Sequence, residues 1–276
     1  MSAISELTED RLVEGVYAVA RKRRLRTRKG ADYLALELVD ASGRIQARVW
    51  NDVELLAARF AEGDAVRVLG RVERYGGLLQ LDVRSLEPAP DADAAALTPA
   101  GRRDRDELDG FLEFIAAEIV HPGLRATVAG TLSAGVRGRL RELPAAPEHH
   151  SYGGGLLEHT VGVTTVCREL CQLHPRLRGD LLLAAALLHD VGRTLELGTP
   201  PAFAPTVEGR LLGHVQLGLR LIEQHAGGLD SEGRAELLHA VAVHHEGRGA
   251  RTAEAAVLYH ANQLDAVAAT RPVGLD

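Results

Sequence analysis

Apolar and polar residues alternate along the first third of the chain. Leu34, Leu36 and Leu38 share one face of a strand predicted over residues 33–39. In the next stretch Ile45, Ala47 and Val49 oppose Gln46, Arg48 and Trp50. Asp40-Ala41-Ser42-Gly43 reads as the turn between these two strands, and Gly76-Gly77 as a hairpin turn between strands over 65–72 and 78–86. A first strand over 12–20 and a short helix over 53–60 complete five strands, with the helix between the third and the fourth. Beyond residue 105 the period becomes helical. Leu156, His159, Val163, Val166 and Leu170 share a face, and so do Leu211, His214, Val215, Gly218, Leu221 and Ile222. Leu237, Leu238, Val241, His244 and His245 form a third face, and Leu258, Asn262 and Asp265 a fourth. Residues 181–188 are apolar all round, which predicts a buried helix, and they end in His189-Asp190.

The strand order suits a small barrel of the oligonucleotide/oligosaccharide-binding (OB) type. Residues 89–105, rich in Pro, Ala and Asp, read as a linker. The expected architecture is therefore a multidomain α+β chain. An OB-fold β-barrel spans residues 7–88, and an all-α bundle spans 106–276.

Composition sharpens this division. The 276 residues are 46% apolar and 25% charged, ordinary values for a soluble globular protein. No apolar run approaches the roughly 18–20 residues of a membrane helix, and the first residues lack a basic-then-apolar leader. The two cysteines, Cys167 and Cys171, lie four apart in one predicted helix, which excludes a disulfide framework and makes the cytoplasm the expected location. The net charge of −6 is uneven: residues 1–88 carry +1 and the remainder −7. Seven of the nine residues from Arg21 to Lys29 are basic, whereas all 12 histidines lie at or beyond His121.

A single histidine on an apolar face is usually a satisfied core residue. Here several helices each deliver an imidazole or a polar group to an inward face. Buried His and Asp are costly unless paired or bound to metal. Imidazole and carboxylate together suit Mn, Fe, Co, Ni or Zn, and a bundle core is a common place to assemble such a site.

His159, the adjacent His189-Asp190 and a late polar position on the last helix resemble the HD-domain superfamily of metal-dependent phosphohydrolases. The wider set is similar to the YhaM-type 3′→5′ exoribonucleases, which also begin with an OB fold. That set comprises Gly154-Gly155-Leu156-Leu157-Glu158-His159-Thr160, His189-Asp190-Val191-Gly192-Arg193, Glu208 through His214, and His244-His245. The resemblance implies that His159, His189 and Asp190 hold one divalent ion. It implies that Asp190 bridges to a second ion held by His214, His244 and His245, with manganese the leading candidate. It places Arg193 where related enzymes carry a catalytic lysine, so that Asp190 and Arg193 are the catalytic candidates, and it puts a histidine of the His149-His150 pair near the site mouth, with His150 the substrate candidate. The superfamily's last ligand is an Asp. The matching residue here is Asn262, a weaker uncharged donor, with Asp265 one helical turn on. The loop after His245 is shorter than the family's.

Arg21, Arg23, Arg24, Arg26, Arg28 and Lys29 read as a basic loop between the first two strands, bordering the barrel's binding face. Tyr33, Arg48 and Trp50 alternate onto that face, where aromatics can stack bases. The expected function is a metal-dependent phosphodiesterase trimming single-stranded RNA, or DNA, from the 3′ end, with no membrane partner and a homo-oligomer compatible with the chain. Two rivals stand beside it: a phosphohydrolase of nucleotides or cyclic dinucleotides, and a catalytically impaired nucleic-acid-binding protein.

Overall fold

The computed structural model describes residues 3–28, 30–93, 96–98, 101 and 103–270. It divides the chain into two compact units. One is Met1–Ala100 with Gly198–Ala204; the other is Gly101–Leu197 with Pro205–Asp276.

The first unit is a closed barrel in the order β1-β2-β3-β5-β4. Its strands are β1 (Leu12–Arg26), β2 (Asp32–Asp40), β3 (Gly43–Val49), β4 (Ala65–Tyr75) and β5 (Leu78–Pro88), with α1 (Val53–Ala57) between β3 and β4. All pairings are antiparallel except β3 with β5. The alternating residues Leu34, Leu36, Leu38, Ile45, Ala47 and Val49 all point into the core. The largest boundary departure is in β1, which runs six residues further than predicted, so most of the basic run is strand and not loop. Cross-strand ion pairs to β2 hold it there. Arg26 Nε lies 2.9 Å and Arg24 Nη2 2.7 Å from the Asp32 carboxylate, and the register continues to the Arg26–Asp32 pair.

The second unit is helical. Its elements are α2 (Arg105–Glu118), α3 (Pro122–Thr131), α4 (Ala134–Glu142), α5 (Gly155–Leu173), α6 (Gly179–Leu188), α7 (Arg193–Glu196), α8 (Val207–Glu223), α9 (Ser231–Ala242) and α10 (Ala253–Thr270). Caps fix several starts. Asp104 accepts from the Asp106 and Glu107 amides, Thr206 from Gly209, and Asp230 from Gly233. Helix α6 is the axis of the bundle: every residue from Leu181 to Leu188 is buried, and α2, α3, α5, α9 and α10 pack around it. At about 1.5–3 kcal/mol per buried leucine, this burial fixes where the α6 C-terminus lies. His189 and Asp190 follow it directly.

The face predicted on α8 is interrupted. Gly213 has φ 70° and ψ 164°, outside the helical region. Only a residue without a Cβ adopts this left-handed conformation at no cost. The break turns the preceding segment, so Leu211 is 78% exposed and does not share the buried face. Among the described residues, no helix is long and apolar enough to cross a membrane.

Candidate metal centre and nucleic-acid face

Asp190, 3% exposed, lies between two groups of imidazoles, and its two oxygens face different ones. Oδ1 is 3.2 Å from His214 Nε2 and 3.4 Å from His244 Nε2. Oδ2 is 3.9 Å from His189 Nε2 and 4.0 Å from His159 Nε2. Within each group the nitrogens also approach one another: His159 and His189 Nε2 are 3.3 Å apart, and His214 and His245 Nε2 are 3.0 Å apart. His159, His189 and Asp190 bring ligand atoms within 4.8 Å of one another, and so do Asp190, His214, His244 and His245.

The opposite edges of the rings explain this orientation. His189 Nδ1 lies 2.7 Å from the Ala186 carbonyl, and His244 Nδ1 2.6 Å from that of Val241. His159 Nδ1 is 2.6 Å from Asp265 Oδ2, and His214 Nδ1 is 3.5 Å from Glu196 Oε2. With Nδ1–H of His159, His189 and His244 donating outward and Nδ1 of His214 turned toward Glu196, the Nε2 lone pairs face inward. Lone pairs of nitrogen therefore face lone pairs of carboxylate oxygen. The buried Asp190 Oδ1 and His244 Nε2 have no hydrogen-bond partner. Unpaired acceptors packed this closely repel in a low-dielectric interior, and a divalent cation is what such a donor set fits.

The remaining candidates lie around this centre. Arg193 Nε donates to Asp190 Oδ2 at 3.0 Å, and its Nη1 to Glu196 at 3.1 Å, so the guanidinium is engaged by two carboxylates. Asn262 is buried and its amide donates to the His244 carbonyl at 3.2 Å. Asp265 sits behind His159. His150, buried with φ 46°, has Nδ1 3.8 Å from Asp265 Oδ2 and 3.2 Å from His149 Nδ1. The His149 ring is 4.7 Å from that of His159.

On the barrel, directly opposed residues of neighbouring strands share a face. Arg23 opposes Ala35, Ala35 opposes Arg48, and Leu25 opposes Tyr33. The Tyr33 and Trp50 rings lie 4.8 Å apart, with the Arg48 guanidinium 5.6 Å from the Tyr33 ring. Trp50 is 45% exposed. Strand parity thus splits the basic run. Arg21 and Arg23 join the aromatic face. Lys22, Arg24 and Arg26 take the other side: Lys22 donates to the Ala57 and Phe60 carbonyls, while Arg24 and Arg26 pair with Asp32 and hold its carboxyl below the ordinary value. Arg21 is 3.9 Å from Glu37. Arg23 and Arg28 make no ion pair among the described residues, and Lys29 lies outside them.

Residues 156–267 match the model of the HD domain, and residues 16–89 that of an OB-fold nucleic acid binding domain. The chain is 30% identical over 250 residues to the 3′-5′ exoribonuclease YhaM of Geobacillus sp. (strain WCH70), covering 86% of this chain and 76% of that protein. The YhaM protein of Bacillus subtilis (strain 168) is also 30% identical over 250 residues, covering 86% and 79%. The chain belongs to the YhaM family of 3′-5′ exoribonucleases. Among solved structures, the second OB-fold domain of replication protein A from Methanococcus maripaludis matches 33% of this chain at 22% identity and TM-score 0.27, covering 97% of that domain.

One residue of this YhaM-family site escaped the sequence reasoning, and a second was not singled out. Glu196 touches both Arg193 and His214; its only signal was a carboxylate one turn after Arg193. His149 precedes the same glycine turn as His150, and the resemblance assigns a histidine of this pair to the site mouth without telling the two apart.

Burial pushes the His149 imidazole down to about 4, lowers His150, and holds His189 well below its ordinary value. Burial would raise the Asp190 carboxyl, but the Arg193 guanidinium leads the opposing effects, and the group stays well below the carboxylate range. Folded His149 protonates only near 4, while in the unfolded chain it protonates near its ordinary value of 6.5, and His150 and His189 are shifted in the same direction. Between pH 6.5 and 4 the unfolded state binds more protons, so stability falls as pH falls. Thermal melts of metal-free protein should show a midpoint that declines through this window and a shallower decline for His149→Asn. A midpoint independent of pH there would contradict the assignment.

Proposed function

We propose that this protein is a metal-dependent 3′→5′ exoribonuclease acting on single-stranded RNA. The observation that carries the reading is the buried Asp190 carboxylate, each of whose oxygens faces a separate group of imidazole lone pairs, in a chain of the YhaM family. His159, His189 and Asp190 would hold one divalent ion, and Asp190, His214, His244 and His245 a second, with manganese the first choice. Two such ions, when bound, supply Lewis-acid polarisation of the phosphate, a nucleophilic water and stabilisation of the leaving oxygen.

The protein's own side chains do the rest. Arg193 keeps Asp190 ionised, so the charge that would be shared by two ions is present at neutral pH. The outward hydrogen bonds of His159, His189 and His244 orient these rings before any ligand arrives, which removes a reorganisation cost. Arg193, fully charged and 12% exposed at the side chain, sets the electrostatics around Asp190 and is no proton donor at neutral pH. On the barrel, Tyr33 and Trp50 offer a stacking surface for bases at about 1–3 kcal/mol each. Arg23 and Arg48 lie beside it to meet phosphates.

A 5′-labelled single-stranded RNA incubated with Mn²⁺ should yield a descending ladder that is abolished by EDTA and by Asp190→Ala. A bound but intact strand would contradict the exonuclease reading. Hydrolysis of free nucleotides with the strand left intact would favour the small-molecule alternative. Salt dependence tests the strand-parity argument. Arg23→Ala should reduce the slope of log affinity against log salt by about 0.7, the value for one phosphate contact on a single strand. Arg26→Ala, whose charge Asp32 already offsets, should change the slope less. Equal effects of the two would remove the distinction.

A further inference from the structure

The four inward-facing imidazoles are held from behind by different groups. His189 and His244 donate to backbone carbonyls, whereas His159 and His214 lie against carboxylates. Each candidate ion cluster therefore has one carboxylate-backed imidazole. The Asp265–His159 contact, at 2.6 Å, is the shorter of the two, and its surroundings are built for it. Gly162 lies on α5 one turn beyond His159, and a Cβ there would overlap the Asp265 carboxylate. Helix α5 leaves out a side chain where the α10 carboxylate reaches the back of His159.

We propose that Asp265 is the positioning residue of the His159–His189–Asp190 cluster, and that through His159 it supplies the negative charge that the amide of Asn262 does not. The inference rests on the metal reading above. Within this cluster Asp190 is the one charged donor. It is shared with the second cluster and offset by Arg193 at 3.0 Å. Asn262 directs its NH₂ to the His244 carbonyl and brings no charge. A carboxylate hydrogen-bonded to Nδ1 makes the imidazole a stronger donor at Nε2 and fixes the ring plane, and loss of such a partner typically costs 10–100-fold in metal affinity. Asp265 thus acts one bond network away from the ion: it stands behind His159, not beside Asp190.

The test is calorimetric titration of Mn²⁺ into the metal-free full-length protein, with a thermal melt of each metal-free variant as a folding control. The wild type should take up two ions. Asp265→Asn keeps the size and the acceptor oxygen but removes the charge. It should weaken one of the two sites by about 10–100-fold and leave the other unchanged. Gly162→Ala leaves the charge in the chain but displaces the carboxylate, and should weaken the same site. Two unchanged affinities in Asp265→Asn would overturn the inference alone, as would two unchanged affinities in Gly162→Ala. A wild type that takes up no Mn²⁺ would overturn the metal reading and this inference with it.

Discussion

A carboxylate buried among imidazole lone pairs is the constraint around which the helical unit is organised. Asp190 cannot sit in that interior as an isolated anion, because desolvation of an unpaired charge costs more than most single interactions return. Two arrangements offset it. Arg193 pairs with one oxygen. The surrounding Nε2 atoms form a donor set that a divalent cation fits. Asp190 Oδ1 and His244 Nε2 are buried without a hydrogen-bond partner, as ligand atoms of a metal centre are and ordinary buried polar groups are not.

The helices deliver these groups through ordinary packing. Burial of α6 fixes His189 and Asp190, and the face of α5 that packs on α6 brings in His159. The glycine break in α8 frees His214 from the preceding turn, and the end of α9 supplies His244 and His245. Behind this inner layer, two backbone carbonyls and two carboxylates hold the rings. On α10 the Asn262 amide meets the His244 carbonyl, and one turn later the Asp265 carboxylate meets His159.

Much of this was legible in the sequence, for identifiable reasons. Strand alternation in β2 and β3 and the all-apolar 181–188 segment each report burial directly, so the barrel core and the central helix followed from residue pattern alone. The histidines at helical spacing pointed to one inward cluster. What was not legible depended on contacts between distant segments. The basic run looks like a solvated loop until Asp32, across the strand pair, holds Arg24 and Arg26 in β1. Leu211 fits a helical face until Gly213 leaves the helix. Glu196 has no local pattern that announces its contact with His214. Asp265 could be placed one turn from Asn262 by arithmetic, but only the packing of α10 on α5, across Gly162, puts it behind His159.

The barrel presents a complementary logic on its surface. One face of β1 carries cations that are spent on Asp32 and the end of α1, while the other carries Arg23 beside Tyr33, Arg48 and Trp50. In the proposed centre Asp190 stands between two ion positions, and anomalous diffraction from crystals of the Mn²⁺-loaded protein locates them. Two anomalous peaks are expected on either side of the Asp190 carboxylate, one beside His159 and His189 and the other beside His214, His244 and His245. A single peak that leaves one of these groups empty, or no peak near Asp190, would contradict this arrangement.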